Sequence, residues 1–433
     1  ETRIRETGDP QERARLQQDY AIFKRTTERE RAALQKEAAE QQTRQAQLEN
    51  SLRLEQAKLA ELQGQLESLD QELEKLVVEV TTENLTPERL TREVKAIYDD
   101  PASSVVTDDG LALAVRTVDL WDTSVDADPE VTLLFVHGFT LRMASWHFQR
   151  FQLARHWEGK RIRMVFFDHR GHGKSDRAPA ETCTIDQLAD DTAAVIRTIT
   201  PGTTTRRRLL PKTEAAGTIV LVGHSMGGMA LMALARRHSY LFGPGGIVSG
   251  VALVATASRG ITEAGLGEGL RNPVVDAFRA SVRRAPKLVQ AGRGITRVSL
   301  EPVLVAASFG PGFHSRAAGR AVEKIIQNTP LETLVNFLYA LEDHDESTAF
   351  PVLAQVPSVV VCGSADQLTP LPNSVHMYAD LGSDSRLVVA QDAGHMVQME
   401  RPELVTDAIA ELVERRRVAL LPPRRRRWLR GQK

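Results

Sequence analysis

The chain has 433 residues, of which 42% are hydrophobic, enough to fill a sizeable core in part of it and more than one average domain needs. Basic and acidic residues number 55 and 56, a net charge of -1 that argues against a general polyanion binder. Two cysteines, Cys183 and Cys362, lie far apart without metal-like spacing, which excludes a disulfide framework and a zinc site; Cys362, inside Val359-Val360-Val361-Cys362, reads as a buried thiol.

No run of about eighteen apolar residues encodes a membrane span. Glu1 stands first in place of Met and no apolar signal segment follows, so the expected compartment is the cytoplasm, with a targeting segment removed ahead of Glu1 left open.

From Gln11 to Glu79 the composition is Gln, Glu, Arg, Lys, Ala and Leu, with Gly64 the only glycine and no proline. Leu59, Leu62, Leu66, Leu69, Leu73, Leu76 and Val80 recur in steps of three and four, in phase with Leu34, Ala38, Leu48 and Leu52. Residues 1–82 are therefore expected to form a coiled-coil helix or helical hairpin, on the order of 100 Å long if straight at 1.5 Å per residue. Gln41, Gln45 and Glu55 interrupt the seam. A leucine stripe needs cover, so residues 34–80 are expected to self-associate or to meet a partner helix. Thr86-Pro87-Glu88 reads as a capped helix restart within a linker helix, 83–102.

The pattern changes at Ser103 to short apolar strands separated by turns and helices. Val105-Val106, the Asp108-Asp109-Gly110 turn and Leu111 to Val118 predict a leading hairpin. Strands are expected at Val131–Val136, Arg163–Phe167, Thr218–Val222, Val248–Val254, Ser358–Val361 and Leu387–Ala390. Helices are expected near Thr184-Ile185-Asp186, near Met226 and after Arg401-Pro402-Glu403. Such alternation predicts an α/β fold with a mostly parallel sheet covered on both faces, binding ligands at the carboxyl ends of its strands. Pro201 to Gly217 reads as an exposed basic loop. About 259–345 lacks strand signal and predicts a helical lid, basic and amphipathic in stretches such as Val282 to Val289. Residues 418–433 form a basic tail around Trp428, suited to an anionic membrane surface, with nucleic acid the less favoured partner.

Chemistry concentrates at Gly223-His224-Ser225-Met226-Gly227, between the apolar run Thr218–Val222 and a helix-forming stretch. A serine oxygen becomes a useful nucleophile when a sharp strand-to-helix turn presents it to a base, and Gly223, Gly227 and Gly228 are expected to supply the bend. Asp366 lies just past one later strand, and His395, in Asp392-Ala393-Gly394-His395-Met396, just past the next.

From 103 to 417 these motifs resemble the α/β-hydrolase superfamily, of the serine esterase and lipase-like kind, in which nucleophile, acid and histidine follow in that order. The resemblance implies Ser225 as nucleophile, His395 as general base and Asp366 as the acid that orients it. For Asp366 the competing reading is a turn residue capping the next helix, and Asp392 is the competing acid. His137-Gly138-Phe139-Thr140 resembles the family's oxyanion loop, which assigns the backbone N–H groups of Phe139 and Met226 to an oxyanion hole. His137 and the turn Asp168–Asp176 read as loop-ordering residues, and His224 as packing. No cofactor or metal is expected.

The expected function is serine-dependent hydrolysis of carboxylic esters, lipid-like ones included. Thioester hydrolysis, perhydrolysis and carbon–carbon bond hydrolysis use the same apparatus, and an idle sensor or scaffold working through its coiled coil is the non-enzymatic alternative.

Overall fold

A computed structural model describes residues 8–37, 96–124, 128–200, 219–259, 307–311, 329–342 and 344–420, with isolated positions between them. The chain divides into two compact units, Glu1–Asn84 and Leu85–Lys433. In the first, a helix over 10–37 is exposed along almost its whole length. Of the expected heptad seam only Leu34 falls among the described residues, and it is exposed. The helix restart at Thr86, the loop Pro201–Gly217 and the tail beyond 420 lie outside them. No helix among the described residues is long and apolar enough to cross a membrane.

The second unit is built on eight strands: β1 (Ala102–Val106), β2 (Ala112–Asp119), β3 (Val131–Val136), β4 (Ile162–Phe167), β5 (Ile219–His224), β6 (Val248–Val254), β7 (Ser358–Gly363) and β8 (Ser385–Ala390). They form one sheet in the order β1-β2-β4-β3-β5-β6-β7-β8. β1 and β2 form the expected antiparallel hairpin and β2 joins β4 antiparallel, whereas β3 to β8 run parallel. β5 continues past the expected end at Val222 because Gly223 and His224 still pair with Leu253 and Val254.

Strand periodicity divides the interior into two cores. Leu134, Val136, Val165, Phe167, Ile219, Leu221, Val251 and Leu253 face one side, where they meet helices Ile185–Ile199 and Met226–Arg237. Val131, Leu133, Phe135, Met164, Phe166, Val220, Val222 and Val254 face the other, packed against helices His147–His156 and Pro402–Leu420. Alternate side chains point to opposite faces, so runs that are apolar throughout belong to strands covered on both sides. Ile97, ahead of β1, is fully buried in this second core, so the sheet unit recruits residues from the stretch expected to be a linker.

Helix Ile185–Ile199 begins where Thr184 caps it, its hydroxyl accepting the Gln187 N–H at 3.1 Å. The insertion after β6 leaves and returns at one point, because Arg259 and Asp345 pair as an antiparallel bridge. Within it, helix Leu331–Glu342 buries Leu334, Phe337, Leu338 and Leu341 in the first core.

The turn after β4 is fixed by polar contacts. Arg170, with a fully buried side chain, donates to both oxygens of buried Asp191 at 2.6 Å and to Asp109 at 2.8 and 3.0 Å. One guanidinium thus joins this turn, the following helix and the β1–β2 turn. Removing it alone leaves a buried, unpaired carboxylate, so Arg170→Met should cost about 3–5 kcal/mol in urea unfolding, while Arg170→Met with Asp191→Leu should recover a large part.

Candidate active site

β5 delivers Ser225 at the carboxyl end of the sheet. Its backbone sits at φ 53° and ψ -124°, a conformation that non-glycine residues rarely adopt. The Ser225 N–H donates to Val254 O at 3.0 Å, and its carbonyl accepts Gly228 N–H and the Thr256 hydroxyl, each at 2.8 Å. Strand pairing on one side and the start of a helix on the other hold the strain in place.

The glycines act differently from the expectation that they bend the chain. Gly223, Gly227 and Gly228 all lie outside the left-handed region, and the serine itself makes the bend. What the glycines provide is room: a Cβ on Gly227 would lie 2.3 Å from Val136 O, and one on Gly228 would lie 2.6 Å from Thr256 Cγ2. Only a bare Cα lets the helix start so close to the end of β3.

The structure brings Ser225, His395 and Asp366 together from the ends of three strands. His395 Nε2 lies 2.9 Å from Ser225 Oγ, and His395 Nδ1 lies 2.9 Å from Asp366 Oδ2. All three residues are buried. Asp366 Oδ1 accepts the N–H groups of Leu368 and Thr369 at 2.8 and 2.9 Å, and Oδ2 accepts the Thr369 hydroxyl at 2.8 Å. Burial by itself would raise the Asp366 pKa, but His395 and these donors outweigh it and hold the carboxyl below its ordinary range. An ionised Asp366 assigns the proton of His395 to Nδ1 and leaves the Nε2 lone pair facing the serine hydroxyl. Asp392 is an exposed turn residue at φ 53°, its N–H donating to Ser364 Oγ at 2.8 Å.

Thr369 escaped the sequence reading, although an aspartate followed three residues later by threonine is the spacing at which a hydroxyl reaches back to a carboxylate. His224 does more than pack. Its Nε2–H donates to the His395 carbonyl at 3.0 Å, and burial, then neighbouring His395, lowers its pKa to about 3, so the neutral ring steadies the histidine turn.

The loop after β3 closes the other side. Gly138 approaches so near that a Cβ would lie 2.8 Å from His224 Nδ1 and 3.0 Å from Ser225 Cβ. His137 Nδ1–H donates to Gly138 O at 2.8 Å while Nε2 accepts His169 N–H at 3.0 Å, so both ring nitrogens are spent on loop geometry. Among the described residues no protein group accepts the N–H of Phe139 or Met226. The buried Asp168 carboxylate accepts Met143 N–H at 2.7 Å and Lys174 N–H at 2.8 Å, tying this loop to the turn after β4.

A cavity opens over Ser225, walled by Phe139, Leu141, Met229, Leu341, Leu368 and Met396, with Thr140, His224, Ser308 and His395 as its polar edge. Apart from the imidazoles, no ionisable side chain lines it among the described residues.

A parallel sheet with a strained serine at a strand end and a histidine and aspartate after later strands defines an α/β-hydrolase architecture. The model of the alpha/beta hydrolase family matches residues 133–408, and the chain belongs to that family. The dihydrolipoyllysine-residue acetyltransferase component of an acetoin cleaving system from Pseudomonas putida is 28% identical over 280 residues, 63% of this chain and 60% of that protein. The chain therefore spans less than two thirds of that relative. A non-heme haloperoxidase from Rhodococcus erythropolis is 23% identical over 289 residues, 65% of this chain and 92% of that protein. Among solved structures, a thermophilic esterase from Thermogutta terrifontis matches 73% of this chain and 99% of its own, with a TM-score of 0.54 at 24% identity. The enol-lactonase of Burkholderia xenovorans matches 72% and 100%, with a TM-score of 0.53 at 21% identity. At such identities the structural likeness carries the fold.

Strain at residue 225 has a measurable consequence. Glycine adopts this backbone freely and alanine does not, so Ser225→Gly should be more stable than Ser225→Ala by about 1–3 kcal/mol in urea denaturation.

Proposed function

We propose that the protein is a serine hydrolase that cleaves uncharged carboxylic esters through an acyl-enzyme on Ser225. The observation that carries this reading is the hydrogen-bonded line from Ser225 Oγ through the His395 ring to Asp366, each step 2.9 Å. As Ser225 Oγ attacks the acyl carbon, His395 Nε2 takes the hydroxyl proton. Asp366, held by Thr369, keeps the ring oriented and stabilises its cationic form. The carbonyl oxygen becomes an oxyanion between the N–H groups of Phe139 and Met226. Collapse of that intermediate expels the alcohol, which leaves with the proton from His395. Water then attacks the acyl carbon by the same route, releasing the acid and restoring Ser225.

The cavity's apolar wall favours an apolar acyl group over an acidic one. A lipid-like ester fits that chemistry, with helix Leu331–Glu342 supplying Leu341 as part of the lid. An idle sensor has no need of a base hydrogen-bonded to its serine. The second reading, perhydrolysis, draws on the haloperoxidase relative: hydrogen peroxide in place of water would attack the same acyl-enzyme and release a peracid.

Labelling by a fluorophosphonate probe, with turnover of short- and long-chain nitrophenyl esters, tests the assignment. Ser225→Ala should abolish labelling and lower kcat by about a thousandfold or more. Thr369→Val removes one of the hydrogen bonds that orient Asp366 and should lower kcat about tenfold with KM little changed. Absence of labelling in the folded wild-type protein would refute the nucleophile.

For residues 1–82 we propose self-association through the leucine seam. Comparing sedimentation of the full chain with one beginning at Leu85, which keeps buried Ile97, should show loss of the oligomer.

A further inference from the structure

Glu400 ends the helical turn Val397–Glu400 that follows His395, and its side chain is buried without a charged partner in contact among the described residues. Its two oxygens are divided between two segments of chain. Oε1 accepts the N–H of Gly394, the residue before His395, at 2.9 Å. Oε2 accepts the N–H of Gly310 at 3.0 Å, in the segment 307–311 that comes from the insertion after β6. The two segments touch backbone to backbone: Met396 N–H donates to Ser308 O at 2.8 Å, and a Cβ on Gly310 would lie 2.0 Å from Asp392 O. Ser308 borders the cavity beside Ser225 and His395.

We propose that Glu400 is a positioning residue. It clamps the turn carrying His395 to the cavity wall at 307–311, one carboxyl oxygen to each. The proposal rests on the reading of His395 as the base for Ser225.

The argument is one of donors and acceptors. A carboxylate offers acceptors on both oxygens, as two backbone N–H groups require. An amide side chain in its place offers one acceptor oxygen, which leaves one buried N–H unsatisfied and loosens its segment. Few groups among the described residues bear on the ionisation equilibrium of Glu400. Arg401, which donates to the carbonyls of Glu400 and Gln391, favours the ionised form, as do the Gly310 and Gly394 amides; Asp366 opposes it, and His395 stands on the turn between. Burial dominates and pushes the Glu400 carboxyl up to about 7. Opening to water would return the carboxyl to its ordinary range, so the clamped arrangement binds the proton more tightly and opening becomes easier as pH rises toward about 7.

The test follows the full-length chain from about pH 5 to about pH 9 by fluorophosphonate labelling of Ser225 and by kcat/KM on nitrophenyl butyrate. Glu400→Gln offers one acceptor oxygen in place of two and should lower kcat about tenfold with KM little changed. Independently, amide exchange in wild-type peptides containing Gly310 and Gly394, corrected for intrinsic rate, should be slow near about pH 6 and faster near about pH 8. A Gln variant with the wild-type kcat, or exchange protection equal at both pH values, overturns the role of Glu400 alone. Absence of labelling at every pH overturns the nucleophile, and exchange still decides the clamp. Exchange in the wild type also decides it should the Gln chain fail to fold.

Discussion

The site depends on the left-handed backbone of Ser225. A strand that ends in an ordinary conformation would send its serine into the covering helix; the positive φ turns the chain sharply and leaves the hydroxyl beside His395. Such a conformation persists only where its surroundings over-determine it. Here Val254 O takes the serine N–H, Thr256 and Gly228 take its carbonyl, and Gly227 slides under the end of β3 with no side chain to obstruct it. The same close packing brings the Gly138 loop over the serine, beside the amides of Phe139 and Met226, which no protein group among the described residues accepts.

Around that point the strand ends carry polar groups that a core would not tolerate unless each had work to do. Asp168 collects the amides of Met143 and Lys174, and Arg170 binds Asp191 and Asp109. His137 and His224 spend ring nitrogens on backbone groups of neighbouring loops. Burial lowers the pKa of both rings, which keeps them neutral and their hydrogen bonds in one tautomer. The resulting loops are irregular in conformation yet fixed in position, as the proposed reaction, which depends on the placement of one oxygen and two amides, requires.

The insertion after β6 has two roles in the part described. Helix Leu331–Glu342 is anchored by Phe337 and Leu338 in the first core and by the Thr333 hydroxyl, which donates to Gly171 O at 3.2 Å. Segment 307–311 instead meets the histidine turn through the Met396 N–H to Ser308 O bond and through the Glu400 carboxyl, which accepts the Gly310 N–H. Two attachments of different chemistry, one apolar and one acidic, place the cavity wall under separate control.

Strand positions were legible in the sequence because a strand covered on both faces must be apolar throughout, and these runs are short and rich in Val and Ile. Val131–Val136 and Val248–Val254 fall where their runs predict, and Thr184 and Pro402 mark helix starts through capping and ring geometry that operate within a few residues. The order of Ser225, Asp366 and His395 was likewise written along the chain, since each follows a strand. The sequence alone could not say why the elbow needs its glycines, because the atoms they avoid belong to Val136 and Thr256, distant in the chain. Nor could it single out Glu400, one acid among 56 acidic residues, whose importance comes from Gly310, ninety positions away. Local geometry is set by neighbouring residues and is therefore encoded in short patterns; burial and hydrogen-bond partnership are set by which distant segments meet, and only the folded chain decides them.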